Sequence, residues 1–289
     1  MQFKNTVGIL IAVILWGLSF IFTKSSLEYL SPLMLVTFRV LIAMTLMFSI
    51  AKITGKLQPL TRRDVLIFGC LVIAEPIGYF LFETYGVLNV SPTLACIVIA
   101  VIPLFTPLLA YFANGERVSR MLWVGLGISM VGVLLVIFGD GLDEISGRLL
   151  GVLLLFGAVV TAMIYTVMVK RLSERFNSFS IVAWQNVFSA MILIPLLYLF
   201  DWDKLSALVW DLQWVWRVAV LGIFCSTLAF VLYADALRSI GVARTSIFIN
   251  LMPSITAVAS FFILDERLGL AKIIGIAITI SGLYIGERK

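Results

Sequence analysis

The chain has 289 residues, of which 62% are hydrophobic and 13% charged, with a mean hydropathy of +1.11, 21 Lys and Arg against 16 Asp and Glu, and no histidine. Soluble domains carry about twice that share of charge and under about half apolar residues, so these figures exclude an ordinary globular enzyme and indicate a membrane protein. The net charge of +5 does not imply nucleic acid, because the basic residues sit in short groups between apolar runs.

A hydrocarbon core of about 30 Å takes about 20 helical residues, which makes spans countable. Ten segments qualify, 6–27, 32–51, 65–88, 91–113, 120–139, 149–169, 179–200, 214–237, 243–264 and 270–286. The expected fold is therefore all-α and integral to the membrane, with ten transmembrane helices and no room for a soluble domain. The first segment follows Lys4 but is longer than the core of a signal peptide and lacks a small-residue cleavage site, so it is expected to remain. Placing the N-terminus inside puts fourteen basic residues on the cytoplasmic side, Lys4, Lys52, Lys56, Arg62, Arg63, Arg117, Arg120, Lys170, Arg171, Arg175, Arg238, Arg244, Arg288 and Lys289. The other side receives five, Arg148, Lys204, Arg217, Arg267 and Lys272. The positive-inside rule then predicts an inner-membrane protein with both termini cytoplasmic. Cys70, Cys96 and Cys225 all fall inside apolar runs and read as small buried hydrophobes with no metal-ligand spacing.

In chain order, the first span carries Trp16 and, near its outer end, Lys24; the second carries Arg39 and the third Glu75, Tyr79 and Glu83. An ionised group in the hydrocarbon costs at least about 2.5–3.5 kcal/mol, so each needs a partner or a wet cavity. Glu83 is expected to pair with Arg39 or Lys24 near the outer mouth, as a structural tie or a gate. Glu75 has no basic residue at its depth, and an unpartnered carboxyl in apolar surroundings favours its neutral form, which suits a proton carrier. At helical spacing Glu75, Tyr79, Phe82 and Gly86 fall on one stripe, and a carboxylate beside aromatic faces suits an amine or quaternary ammonium group. The alternative for Glu75 is a permanently neutral acid bonded to a carbonyl freed by Pro76.

Pro103 and Pro253 lie near the middle of the fourth and ninth spans. Interrupted helices at matching positions point to a midplane binding site, the alternative being kinks that only shape packing. The seventh span holds Trp184, Gln185 and Asn186, opposite in the repeat to Phe38 and Arg39, and Tyr233 and Asn250 are further polar groups at cavity depth. Asp235 is expected to pair locally with Arg238 or Arg244. Trp202, Trp210, Trp214 and Trp216 read as an interfacial belt. The fifth and tenth spans share small residues at i, i+4 and i+7, Gly125, Ser129, Gly132 and Gly275, Thr279, Gly282, which suits close packing of those two helices.

A shift of 150 positions aligns residues 103–132 with 253–282 without a gap, with eight identities: Pro103/Pro253, Thr106/Thr256, Phe112/Phe262, Glu116/Glu266, Arg117/Arg267, Gly125/Gly275, Ile128/Ile278 and Gly132/Gly282. Each half thus holds five spans. Five is odd, so the second copy enters the bilayer from the opposite side, and inverted repeats of this kind are a transporter design.

The motifs resemble the EamA-type, ten-span branch of the drug/metabolite transporter superfamily. Trp16-Gly17, Phe20 and Lys24 are similar to its first-span signature W-G-x-x-F-x-x-x-K; Pro32, Arg39 and Ala43 are similar to its second-span pattern; Gly115-Glu116-Arg117 and Asp265-Glu266-Arg267 resemble its acidic-basic pairs. The resemblance covers essentially the whole chain as two five-helix copies, 6–137 and 149–286, and implies a basket with a central cavity that exports or exchanges small metabolites without ATP. Glu75-Pro76 departs from the pattern, and the second copy offers Tyr165 and Lys170-Arg171 where the first has its W-G pair.

The expected function is secondary-active transport of a small polar metabolite such as an amino acid or amine, with rocking halves and proton coupling open to Glu75. The substrate set is Trp16, Glu75, Tyr79, Pro103, Trp184, Gln185, Asn186, Tyr233, Asn250 and Pro253, with Lys24, Arg39 and Glu83 as gate or ion pair. The alternatives are an intramembrane enzyme and a non-transporting sensor or scaffold; without histidine the first lacks the usual base. No cofactor or metal is expected. The expected partners are a small-molecule substrate, protons and the bilayer, with the chain a monomer.

Overall fold

The structure, a computed structural model, describes residues 2–105, 119–138, 145–240, 245, 248–266 and 269–286. The regular structure of those residues is all helical, and they form no strand. Ser31 caps α1's successor: its hydroxyl accepts from the Met34 N–H at 3.2 Å and Pro32 takes the first turn of α2, where an N–H would have no partner anyway. Ser91 and Pro92 repeat that device at α5, and Thr61 with Asp64 forms a capping box at α3. The helices are α1 Gln2–Ser26, α2 Pro32–Ile53, α3 Arg62–Val72, α4 Tyr79–Asn89, α5 Pro92–Ile99, α6 Arg120–Phe138, α7 Ile145–Leu172, α8 Ser178–Phe200 and the short α9 Trp202–Ser206. They continue as α10 Leu212–Val220, α11 Ala229–Ile240, α12 Met252–Ile263 and α13 Leu270–Gly286.

Two wide π turns join helices that share one span, Ile73–Gly78 between α3 and α4 and Leu221–Leu228 between α10 and α11. The first has a local cause. Pro76 lacks an N–H and crowds the preceding residue, which drives Glu75 out of the helical region to φ −153°, ψ 134°. The second contains no proline, and there the Thr227 hydroxyl donates to the loosened Gly222 carbonyl at 2.8 Å.

Seven helical runs are long and apolar enough to cross a membrane, Thr6–Ser26, Pro32–Ile53, Arg62–Asn89, Arg120–Phe138, Gly147–Leu172, Ser178–Phe200 and Leu212–Ser239. Three shorter apolar helices, Pro92–Phe105, Met252–Ile263 and Leu270–Gly286, fall within the remaining expected spans. Large apolar side chains are turned outward, among them Leu199 at 76% and Phe262 at 75% exposure, which in a chain this hydrophobic is a lipid-facing surface. The protein is a multi-pass membrane protein.

Packing follows the small residues. Helices α6 and α13 meet backbone to backbone: a Cβ added to Gly125 or Gly282 would coincide with the other helix's main chain, and the Ser129 hydroxyl donates to the Thr279 carbonyl at 3.1 Å. Elsewhere α1 packs on α11 and α12, α2 on α8 and the second π turn, α4 on α7, and α5 on α12.

Three readings from composition shift. Trp214 is not part of the interfacial belt: it is 3% exposed and stacks on Phe38 at 5.9 Å, while Trp202, Trp210 and Trp216 are exposed. Cys70 is exposed on α3 rather than buried; Cys96 and Cys225 are buried. Asp235 accepts from the Ser178 hydroxyl and shows no ion pair with Arg238; Arg244 lies outside the described residues, as do Gly115, Glu116, Arg117 and Arg267.

The α6–α13 contact predicts that Gly132→Leu, which would drive a side chain into Gly275 and Thr279, costs roughly 1–3 kcal/mol and lowers the unfolding midpoint by several degrees in detergent. Gly127→Leu, with nothing within 4 Å of its Cβ, is expected to leave the midpoint unchanged.

Candidate functional site

The inner faces of both halves line a cavity with about 60 Å³ of free space. Its first-half wall comes from Trp16, Ser19 and Phe20 on α1, Arg39 on α2, Glu75 in the first π turn, Tyr79, Phe80 and Glu83 on α4, and Ile99 and Ile102. The second half supplies Ala162, Tyr165 and Thr166 on α7, Phe230 and Tyr233 on α11, Ile249 and Met252. The 150-residue shift connects five pairs across these walls: Trp16/Thr166, Phe80/Phe230, Glu83/Tyr233, Ile99/Ile249 and Ile102/Met252. The cavity thus sits where equivalent positions of the two copies face each other.

Helix breaks shape it. After α5 the chain turns at Ala100–Val101 and becomes helical again at Ile102, with Pro103 in the new first turn; near the ninth span it turns at Asn250–Leu251 and resumes at Met252, with Pro253 in the first turn. The turns are themselves 150 residues apart. Neither proline lines the cavity. Both act on the backbone beside it, starting a helical segment where a missing N–H costs nothing, and the residues flanking them, Ile102 and Met252, face inward.

Trp16 and Gly17 explain their own pairing. The Trp16 indole N–H donates to the Cys225 carbonyl, freed by the second π turn, at 3.1 Å, and its ring meets Phe230 and Tyr233 edge-on at 5.3 and 5.0 Å. A Cβ on Gly17 would press on the Ile255 methyl at 2.9 Å, and the Gly17 carbonyl accepts from the Thr256 hydroxyl at 2.8 Å. One residue of the pair reaches the cavity and the other lets α12 close beside it.

Arg39 is a buried charge. Its Nη1 lies 3.6 Å from Glu83 Oε2, its Nε donates to Ser226 Oγ at 2.6 Å, and its guanidinium carbon sits 3.8 Å over the Phe80 ring. Arg39 and Glu83 are 2% and 1% exposed, so each neutralises a group that could not otherwise remain in hydrocarbon. Gly222 makes this geometry available, since a Cβ there would strike Ile42 at 2.6 Å and hold the second π turn away from α2. Lys24 is not the partner of Glu83. Its ammonium donates to the Val87, Leu88 and Val90 carbonyls at 2.9, 3.1 and 3.0 Å, closing the C-terminal end of α4.

Glu75 is 6% exposed and faces the cavity; among the described residues no hydrogen bond or ion pair engages its carboxyl. Tyr79 and the 165–233 side hold the surrounding hydroxyls: Tyr165 donates to Gln185 Oε1 at 3.1 Å, and the Thr166 and Tyr233 hydroxyls bond each other at 3.2 Å. The expected stripe along the third span divides. Glu75 and Tyr79 face inward, but Phe82 rests on Gly157 and Gly86 on Leu155, both of α7: the cavity face of α4 is Tyr79, Phe80 and Glu83, and the wide turn before it brings Glu75 to that face.

The remaining sequence candidates lie outside the lining. Gln185 acts through Tyr165; the Asn186 amide donates to the Val182 carbonyl of its own helix at 2.7 Å. The Trp184 indole donates to the Gln58 carbonyl at 2.9 Å, in the loop between α2 and α3, and Asn250 sits in the turn before α12. Phe80, Thr166, Ser226 and Phe230 had drawn no attention as isolated residues. Extending the 150-residue shift to Phe80/Phe230 would have found two of them.

A polytopic helical protein whose two halves close equivalent residues around a charged, aromatic-walled cavity is built as a membrane transport protein. The chain matches the EamA-like transporter family twice, over residues 5–138 and 149–286. It belongs to that family, within the drug/metabolite transporter superfamily. An uncharacterized transporter of Archaeoglobus fulgidus is 28% identical over 99% of both chains. The uncharacterized transporter YetK of Bacillus subtilis is 25% identical over 100% of this chain and 88% of its own. A solved crystal structure at 19% identity has the same fold, with a TM-score of 0.73 over 98% of both chains.

Removing one member of a buried ion pair strands the other and costs roughly 3–5 kcal/mol. Arg39→Met is therefore expected to lower the unfolding midpoint in detergent by on the order of 10 °C, and the Arg39→Met/Glu83→Gln double variant to regain more than half of that loss.

Proposed function

We propose that the chain is a secondary-active transporter of small polar metabolites carrying an amino group, such as amino acids or amines, working by alternating access. The observation that carries this reading is the unengaged Glu75 carboxyl in a cavity walled by Trp16, Tyr79, Phe80, Tyr165, Phe230 and Tyr233. A cation is attracted to ring faces, and a carboxylate beside them supplies the opposing charge in a site of low dielectric. With the Arg39–Glu83 pair internally compensated, the remaining group is Glu75, which makes it both the contact for the substrate's amine and the carrier of a coupled proton.

In this reading the chain crosses the bilayer ten times in two inverted sets of five, 6–137 and 149–286, with both termini cytoplasmic in the inner membrane. The pairing of equivalent residues across the cavity supports two halves that exchange inward- and outward-open arrangements. Trp16, Glu75, Tyr79 and Tyr233 contact the substrate; Gln185 positions Tyr165; Pro103 and Pro253 end the broken helices at the site. Arg39 and Glu83 tie α2 to α4, and Lys24 secures the end of α4. The chain acts as a monomer and is not an enzyme: the cavity hydroxyls of Ser19, Thr166 and Tyr233 bond the backbone or each other, which supports binding over nucleophilic chemistry.

Uptake into proteoliposomes, measured against a panel of amino acids, amines and sugars from pH 5 to 8, tests the assignment. Transport is expected for a member bearing an amino group, with Glu75→Gln lowering it at least about tenfold and flattening its pH dependence. Full transport by Glu75→Gln with an unchanged pH profile would remove Glu75 from the mechanism.

A further inference from the structure

A second crevice, sharing no residue with the central cavity, lies between the first turns of α3 and the last turns of α7, with about 380 Å³ of free space. Three arginines line it, Arg63 from α3, Arg171 from α7 and Arg175 from the loop that follows. Only one of them is neutralised: Arg175 Nη1 meets Asp64 Oδ1 at 2.6 Å, and Asp64 is otherwise occupied by the Thr61 hydroxyl and N–H. Arg63 and Arg171 are exposed and form no ion pair among the described residues. Arg62 and Lys170 flank them, and Glu174 is the acid on the neighbouring turn, outside the lining.

The floor of the same crevice is apolar, made by Ile67, Met168 and Phe176. It lies at the ends of the Arg62–Asn89 and Gly147–Leu172 runs, where a membrane-crossing chain meets the lipid headgroups. Beside it on α3, Val65 and Leu66 are 45% and 71% exposed, so the crevice borders a lipid-facing surface. A site with two uncompensated guanidinium groups above an apolar floor at headgroup depth fits a molecule that is anionic at one end and apolar at the other. A free phosphate would use the arginines but leave the floor unfilled; a zwitterionic lipid would bring a cation into a site already positive.

We propose that this crevice binds the headgroup of an anionic phospholipid, with Arg63 and Arg171 on the phosphate and the upper acyl chain over Ile67 and Met168. Guanidinium groups suit this role because their planar donors engage phosphate oxygens in pairs. Basic pockets between transmembrane helices are a recurring way of holding such lipids. Occupation would bridge α3, whose span carries Glu75, to α7, whose Tyr165 and Thr166 face it across the cavity.

Native mass spectrometry of the full chain in neutral detergent tests this, using phosphatidylglycerol and phosphatidylcholine with the same acyl chains. The wild-type chain is expected to hold one phosphatidylglycerol at least about tenfold more tightly than phosphatidylcholine. In Arg63→Gln/Arg171→Gln that preference is expected to fall by up to roughly thirtyfold, the factor equivalent to about 1 kcal/mol for each arginine. Both side chains are exposed and unpaired, so the variant should fold, and Arg62→Gln/Lys170→Gln, which removes equal charge outside the lining, should keep most of the preference. Equal binding of the two lipids by the wild type would overturn the proposal. So would an unchanged preference in Arg63→Gln/Arg171→Gln, or equal losses in both double variants, which would mark diffuse surface charge. Displacement of bound phosphatidylglycerol by millimolar inorganic phosphate would also overturn it, in favour of a free-anion site.

Discussion

In hydrocarbon a backbone carbonyl released from its helix has no water to turn to, so irregular backbone is tolerated only where protein or an internal cavity supplies the partner. The central site follows from that constraint. The first π turn places Glu75 in the cavity wall, the second ends two residues before Phe230 of that wall, and the turns at Ala100–Val101 and Asn250–Leu251 lead into Ile102 and Met252, which also line it. The released groups find specific partners there. The Cys225 carbonyl takes the Trp16 indole, Gly222 takes Thr227, and α4's free end takes Lys24. The candidate site in this setting needs no separate invention, because the places where the helices can loosen are the places where polar side chains are already required.

The same constraint accounts for the pattern of helix contacts. The second spans of the two copies pack on each other through α2 and α8, the fourth through α5 and α12, and the fifth through α6 and α13. The first span of one copy packs on the third of the other, α1 on α11 and α7 on α4. Exchanging the copies leaves this list unchanged, as a pseudo-twofold arrangement requires. With no hydrophobic force between helices in lipid, such contacts rest on close fit, which is why α6 and α13 meet through their glycine stripes.

Composition and periodicity revealed the helical membrane architecture, and the repeat revealed its two copies, because apolar run length and small-residue spacing are properties of single helices. Site geometry was legible where one residue's chemistry is decisive. Trp16, Arg39, Glu75, Tyr79, Glu83 and Tyr233 all face the cavity, and all are polar or charged groups within apolar runs. It was not legible where register changes. A helical wheel carries Glu75 through Phe82 to Gly86, but the turn forced by Pro76 redirects the chain, and Phe80 and Glu83 occupy the wall instead. Trp184 and Asn186 misled for a different reason: an amide or indole in an apolar run needs a partner, and the Gln58 and Val182 carbonyls serve as well as a ligand would. Trp214 was misplaced because proximity to a loop says nothing about which face of α10 it occupies.

The cavity's walls are equivalent in shape and unequal in charge. Under the 150-residue shift Phe80 faces Phe230 and the isoleucines at 99 and 102 face Ile249 and Met252, but Glu83 corresponds to Tyr233, Arg39 to Ser189 and Glu75 to Cys225. Among the described residues, every carboxyl and guanidinium lining the cavity therefore belongs to the first copy, and the second contributes hydroxyls, rings and aliphatic side chains. In the proposed alternating-access mechanism, where one half moves against the other, the division has a mechanical consequence. A charge shared between halves would have to be pulled from its partner in hydrocarbon at each exchange, at a cost of several kcal/mol. With Arg39 and Glu83 on the same copy the pair travels intact, and the contacts that must part across the boundary are the cheaper ones: the Ser226 hydroxyl on Arg39, the Trp16 indole on Cys225 and the ring edges of Phe230 and Tyr233. Under that proposal, likeness of shape would let the halves exchange places, and the unequal charge spares the exchange the parting of a buried cavity ion pair.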